Sequence, residues 1–157
     1  MSQKFYQKNF NLIKDKKQFM NILVTGNNGY IGSVLTKILL EKGYSITGLD
    51  INYFESCTIE DVNQNFHQII KDIRDVNSDD LIGFDAIIHL AGLSNDPLGE
   101  LNPSLTQEIN FDGTVKLGHL AKKAGINRLV YASSQSMYGI SKLVLRNLFL
   151  PVTLSWH

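Results

Sequence analysis

The stretch Asn21-Ile-Leu-Val-Thr-Gly-Asn-Asn-Gly-Tyr-Ile-Gly32 decides the fold. Ile22, Leu23 and Val24 are a short, apolar, partly β-branched run, the pattern of a buried strand. Glycines follow at positions 26, 29 and 32. Beyond them Ile31, Val34, Leu35, Ile38 and Leu39 recur at helical spacing, which predicts a helix with those residues on its apolar face. Gly43 is placed to cap that helix at its C-terminal end. Gly26 permits a sharp exit from the strand, Gly29 leaves the backbone open to a phosphate, and Gly32 lets the helix pack close to the strand. A helix beginning near Tyr30 aims its free N–H groups and positive dipole end at the same point. The stretch therefore suits a dinucleotide pyrophosphate, held by Gly26, Asn28, Gly29, Tyr30, Ile31 and Gly32.

A glycine triplet alone is also what an ordinary turn looks like, so the context carries the argument. A second strand is predicted over residues 45–49, and Asp50 closes it about twenty residues beyond the loop. A carboxylate there accepts hydrogen bonds from ribose hydroxyls and repels a 2′-phosphate. No Arg or Lys follows at Ile51, Asn52 or Tyr53, so NAD is favoured over NADP. A solvated turn residue is the plainer reading of Asp50. Further strands are predicted over residues 66–71, 84–90 and 128–132. Before the last of them a long helix is expected, with Asn102 as N-cap, Pro103 at the first helical position and Gly125 as stop. Its apolar positions are Leu105, Ile109, Leu117, Leu120, Ala121 and Ala124. Strand–helix alternation of this kind implies an α/β fold, a doubly wound parallel sheet of Rossmann type in the order 3-2-1-4-5, with the ligand where that order reverses.

With 157 residues and 43% hydrophobic content, the chain suits one globular domain. Its formal net charge is zero, which gives no general attraction to nucleic acid or to a membrane surface. No apolar stretch is long enough to span a bilayer. The single cysteine, Cys57, fits a reducing cytoplasm, and His67, His89, His119 and His157 have no metal-ligand spacing. Residues 1–19 hold five lysines against one acid, Asp15, and show no clear periodicity. They read as a basic, disordered arm or as sequence upstream of a start at Met20.

The spacing Thr25-Gly-Asn-Asn-Gly-Tyr-Ile-Gly32 resembles the short-chain dehydrogenase/reductase superfamily. The Gly-Tyr-Ile-Gly ending resembles its extended branch, the NAD-dependent epimerases and dehydratases of nucleotide sugars. Other landmarks arrive in order. Asp72-Ile73 stands where this family contacts adenine, and His89-Leu-Ala-Gly92 resembles its segment beneath the cofactor. Asn110 matches a position that holds the active-site backbone. Tyr131-Ala-Ser-Ser-Gln-Ser-Met-Tyr-Gly139 resembles its Ser-Ser-x-x-x-Tyr-Gly signature, with Ser133 near the cofactor. The resemblance covers residues 20–139, the expected NAD-binding domain, with Leu90, Ala91 and Gly92 as cofactor contacts. It implies NAD as cofactor, a nucleotide-sugar substrate, and no nucleic-acid or membrane partner. The helices that pair subunits in the family lie largely around a catalytic helix that this chain is not expected to carry, so oligomeric state is left open and a homodimer is not supported by this chain alone.

In this family a tyrosine is the acid/base, a lysine four residues later lowers its pKa, and a serine or threonine at the end of the fifth strand bonds the reacting oxygen. Ser134 matches the serine position; a strand-end serine bonding the backbone reads equally well. Tyr138-Gly-Ile-Ser-Lys142 reads literally as Tyr-x-x-x-Lys, and residues four apart do share a helix face. Yet only three residues separate Ser134 from Tyr138, too few for the chain to turn and lay a second helix beside the strand end. Gly139 also weakens a helix there. Tyr138 and Lys142 are therefore not expected to be the catalytic pair, and no later tyrosine or lysine exists. All acids lie at or before Asp112, and residues 140–157 form an atypical apolar tail. That tail reads as an amphipathic helix or as sequence outside the family's frame, as after truncation. The last strands and the substrate lobe are expected to be missing, leaving the fifth strand as an open edge. The chain reads as the cofactor half of an epimerase or dehydratase. The alternatives are a non-catalytic NAD-binding module or sensor, or an inactive truncated product.

Overall fold

The computed structural model describes residues 20–54, 66–93, 102–133 and 152–155. β1 (Asn21–Thr25) enters a glycine turn and α1 (Tyr30–Glu41), which returns the chain to β2 (Ser45–Asp50). β3 (His67–Ile70) and β4 (Ala86–His89) follow, with short 3-10 turns at Ile73–Asp75 and Asp79–Leu81 between them. A helical stretch then runs through α2 (Pro103–Thr106), a π-helical segment (Gln107–Gly113) and α3 (Thr114–Lys123) to β5 (Arg128–Tyr131). β6 (Val152–Ser155) completes the sheet, whose order is β3-β2-β1-β4-β5-β6. The first five strands pair in parallel, in the expected order.

Alternation along the strands builds two cores, one on each face. Leu23, Leu49, Ile87 and Leu129 point to one face and pack with Ile73, Val76, Leu81, Leu117, Ala121 and Ile126. Ile22, Val24, Ile46 and Ala86 point to the other and meet Leu39 and Leu40 of α1. Burying each Leu, Ile or Val of these sets contributes about 1.5–3 kcal/mol, and both faces need cover, which is the reason the sheet is doubly wound.

Three local features depart from the sequence reading. α1 does not bury Ile31, Val34, Leu35, Ile38 and Leu39 as one stripe. It buries Gly32, Ser33 and Thr36, while Ile31 and Ile38 are 61% and 42% exposed. The cause is Gly32, which must sit against the glycine turn and so sets the helix's rotation. The helix ends as expected, with Gly43 at φ +83°. The second departure is the π-helical segment. Its last four residues, Asn110 to Gly113, fall in the gap between Ile109 and Leu117 of the apolar pattern, and Ala124 ends exposed. Asn102 does cap the stretch, its Oδ1 accepting from the Leu105 N–H at 3.1 Å, with Pro103 following. Asn102→Ala is expected to lower stability by about 1 kcal/mol, read as a shifted urea midpoint with unchanged slope.

The third departure is at the sheet edge. β6 pairs antiparallel with β5, Val152 opposite Tyr131 and Ser155 opposite Arg128. Part of the tail read as helix is thus a strand, and β5 is not left open along this stretch. An edge strand's unpaired N–H and C=O groups provide the drive for that pairing. The basic arm at residues 1–19 and the rest of the tail lie outside the described residues.

Candidate functional site

At the carboxyl ends of the parallel strands, where the order reverses between β1 and β4, lies a cavity of about 300 Å³. Its walls include Gly26 and Gly29 of the turn, Asp50 at the end of β2, Asp72 and Ile73 after β3, and Leu90 to Gly92 after β4.

The glycine turn is shaped by contacts that exclude side chains. Gly26 has φ +73°, and a Cβ there would stand 2.6 Å from the Ala91 nitrogen. At Gly32 a Cβ would overlap the Gly26 carbonyl oxygen. Gly29 is different: among the described residues its only near neighbour is that same oxygen at 3.3 Å, so its missing side chain leaves open space among them. The Gly29 N–H donates to the Gly26 carbonyl at 3.1 Å and closes the turn. α1 starts at Tyr30 with no side chain capping it. By helix geometry the N–H groups of Tyr30, Ile31 and Gly32 have no partner inside the helix, which leaves a set of donors at the positive end of its dipole. The Tyr30 and Ile31 side chains are exposed, and the free donors at this helix end are backbone N–H groups.

Asp50 faces the turn from β2. One carboxylate oxygen accepts from the Asn28 N–H at 3.1 Å and the other from the Asn52 N–H at 2.8 Å. Each oxygen keeps lone-pair capacity for a further donor. Asn52 holds φ +62°, a conformation asparagine tolerates better than most residues, and its Oδ1 accepts from Asn28 Nδ2 at 2.6 Å. On the far wall, Asp72 caps the short turn after β3. It accepts from the Arg74 N–H at 2.8 Å and pairs with the Arg74 guanidinium at 2.7 Å. Those hydrogen bonds from Arg74 hold the Asp72 carboxyl below its usual range despite partial burial. Ile73 is buried in the larger core and still borders the cavity.

The floor after β4 is held by a chain of hydrogen bonds. Asn110, in the π-helical segment, receives the Leu93 N–H on Oδ1 and donates Nδ2 to the Leu93 carbonyl, each at 2.7 Å. The Asn110 carbonyl accepts from the Thr114 hydroxyl at 2.7 Å. That hydroxyl has given away its one proton, so it accepts from His89 Nε2–H at 2.9 Å. His89 Nδ1 is then bare and accepts from the Thr25 hydroxyl at 2.6 Å. Burial pushes the His89 pKa down to about 4, so the ring is neutral, and it stacks on Tyr131 at 5.5 Å.

The structure thus brings together Gly26, Asn28, Gly29, Tyr30, Ile31, Gly32, Asp50, Asp72, Ile73, Leu90, Ala91 and Gly92 around or beside one cavity, with Asn110 beneath its floor. Ser133 stands exposed just past β5. Ser134, Tyr138 and Lys142 lie outside the described residues, as does the stretch 94–101. Sequence reading missed His89 as a structural link and missed Asn27 and Gln68. The lone Gly48 inside a strand pattern was a usable signal for the last two, since it marks a close approach. Among the described residues no cluster of metal-ligating side chains occurs, and no helix is long and apolar enough to cross a membrane.

A doubly wound parallel sheet with a glycine turn at its switch point and an acid closing the second strand defines a dinucleotide-binding fold of Rossmann type. Residues 22–148 match the model of the NAD dependent epimerase/dehydratase family, and the chain belongs to that family. It is 37% identical over 139 residues to UDP-glucose 4-epimerase 2 of Arabidopsis thaliana, a match covering 79% of this chain and 39% of that protein. Among solved structures it resembles a UDP-N-acetylglucosamine 4-epimerase from Methanobrevibacter ruminantium (TM-score 0.74, 26% identity, 86% of this chain and 45% of that one). It also resembles a UDP-glucose-4-epimerase from Stenotrophomonas maltophila with bound NAD (TM-score 0.71, 26% identity, 81% of this chain and 40% of that one). The chain therefore spans about two fifths of the length of these relatives.

Proposed function

We propose that this chain binds NAD in the cavity at the strand ends and is the cofactor half of an epimerase or dehydratase acting on a nucleotide sugar. The observation that carries the reading is the glycine turn facing Asp50. The donors of Tyr30, Ile31 and Gly32 suit the pyrophosphate, the bare backbone of Gly29 lets it approach, and Asp50 suits the ribose hydroxyls. The adenine is assigned to the wall at Asp72 and Ile73, and the nicotinamide end to the floor at Leu90 to Gly92 and to Ser133. The domain is taken as residues 20–139, preceded by the basic arm and followed by the apolar tail. Family membership and the bound NAD of the Stenotrophomonas enzyme support the cofactor.

In this reading NAD supplies a hydride acceptor that can later return the hydride. This chain's own residues bind it, fix its orientation and keep Leu90 to Leu93 in place beneath it. Ser134 is proposed to bond the reacting oxygen of the sugar, and Tyr138 and Lys142 are not proposed as acid/base. Titration calorimetry should give an NAD isotherm. Asp50→Ala should weaken NAD by about tenfold and NADP much less, because only NAD presents the 2′-hydroxyl that the carboxylate holds. Equal losses for both cofactors would remove Asp50 from the ribose site, and no isotherm on folded protein would refute the reading.

A further inference from the structure

On the α1 face of the sheet, Val24, Gly48 and Gln68 stand in register across β1, β2 and β3. The middle position calls for a β-branched residue and holds glycine instead. Asn27, the second residue of the turn, fills the space. A Cβ on Gly48 would stand 2.5 Å from Asn27 Cγ, 2.6 Å from Asn27 Nδ2 and 2.5 Å from Gln68 Oε1.

Asn27 is 1% exposed, and a buried amide is costly unless its hydrogen bonds are made. Here they are. Asn27 Nδ2 donates to Gln68 Oε1 at 2.7 Å and to Asn28 Oδ1 at 2.8 Å, and Gln68 Nε2 donates back to Asn27 Oδ1 at 3.2 Å. Asn28 in turn is tied to Asn52 and, through its N–H, to Asp50. One polar chain therefore runs from β3 through the turn to the carboxylate that closes β2.

We infer that Asn27 is a positioning residue, an amide latch seated in the gap left by Gly48 and paired with Gln68, which fixes the shape of the glycine turn and the reach of Asp50. The turn is clamped from two sides. Gly32 lets α1 press on it from one, and Gly48 lets Asn27 anchor it to the sheet from the other. Asn27 does not line the cavity and acts only through the backbone of residues 26–29 and the Asn28 side chain. Its consequence for affinity rests on the cavity being the NAD site.

Coupling between Gly48 and Asn27 is the test. NAD affinity is measured by titration calorimetry for the full chain, Gly48→Ala, Asn27→Ala and the double variant. Hydrogen exchange of the Asn28 and Gly29 amides is followed by NMR without NAD. In the native background Gly48→Ala should weaken NAD about tenfold and speed both amides. In the Asn27→Ala background the same change should have less than about a twofold effect, because the Asn27 atoms it collides with are gone and the end of the Gln68 side chain, no longer paired with Asn27, can swing clear. Equal penalties in both backgrounds, or no effect of Gly48→Ala on either readout, would overturn the latch. If Gly48→Ala does not fold, Gln68→Ala takes its place. It should weaken binding and speed exchange alone and add little to Asn27→Ala, and additive effects would again overturn the latch. Coupled exchange in a protein that gives no NAD isotherm would support the latch and refute the cofactor reading.

Discussion

Gly32→Ala is expected to cut NAD affinity by up to about a hundredfold. The added Cβ would overlap the Gly26 carbonyl oxygen and stand 2.7 Å from Asn27 Cα and 2.8 Å from the Asn27 carbonyl carbon. All three neighbours are backbone, so no rotamer change relieves the contact. Either α1 backs away from the turn or the turn deforms, and both separate the helix's free N–H groups from the path of the pyrophosphate. Overpacking of this kind costs about 1–3 kcal/mol, and the upper end corresponds to about a hundredfold in binding. Gly118→Ala is the matched control. It lies in α3 and, outside its own helix, no atom of the described residues stands within 4 Å of where its methyl would be, so it should leave NAD binding unchanged and raise helix stability slightly. Calorimetry with NAD, alongside a circular-dichroism melt to establish folding, reads both variants. A folded Gly32→Ala protein that binds NAD within a few-fold of the native chain would remove the turn from the site.

The second large effect is on stability against pH. His89 is fully buried, and burial lowers its pKa from 6.5 to about 4. A base with a depressed folded pKa binds its proton more weakly in the native state than in the unfolded one. Its contribution is therefore complete above about pH 6.5 and is lost as pH falls from there toward 4. Protonation across that window in the unfolded state only costs the fold about 3 kcal/mol. Protonation has a specific structural cost: Nδ1 would become a donor facing the Thr25 hydroxyl, which now donates to it. Urea unfolding at pH 7.5 and pH 5 should show the loss, and His89→Gln should flatten the slope between those values whatever its effect at pH 7.5. An unchanged slope in the variant would assign the pH dependence to other groups. Asp72, held below its ordinary range by Arg74, titrates below this window.

Much of the site was legible without coordinates. The run from Ile22 to Gly32 carries its meaning locally: a strand, a turn that tolerates no side chain and a helix start are each properties of a few consecutive residues. The same holds for Asp50 at the end of β2, for the Asn102 cap and for the glycine at the end of α1. The face that α1 buries was misread because the apolar stripe and the close contact at Gly32 disagree by part of a turn, and close packing of backbone on backbone overrides hydrophobic periodicity. The π-helical segment was hidden for a related reason. An extra residue in one turn is chosen by what it aims, here Asn110 at Leu93, and leaves only a stretched gap in the pattern.

The sequence by itself determined the strand–turn–helix unit, the strand order and the family, because these follow from short-range spacing and from the handedness of parallel crossovers. Tertiary structure alone decided how the turn is held. Gly48 and Gln68 lie far from Asn27 along the chain, and His89 links Thr25 to Thr114 across two strands and a helix. Each of those residues looks ordinary among its neighbours in sequence. Their roles exist only once the sheet sets them in register, since a buried hydrogen bond or a missing Cβ has meaning only against the atom that faces it.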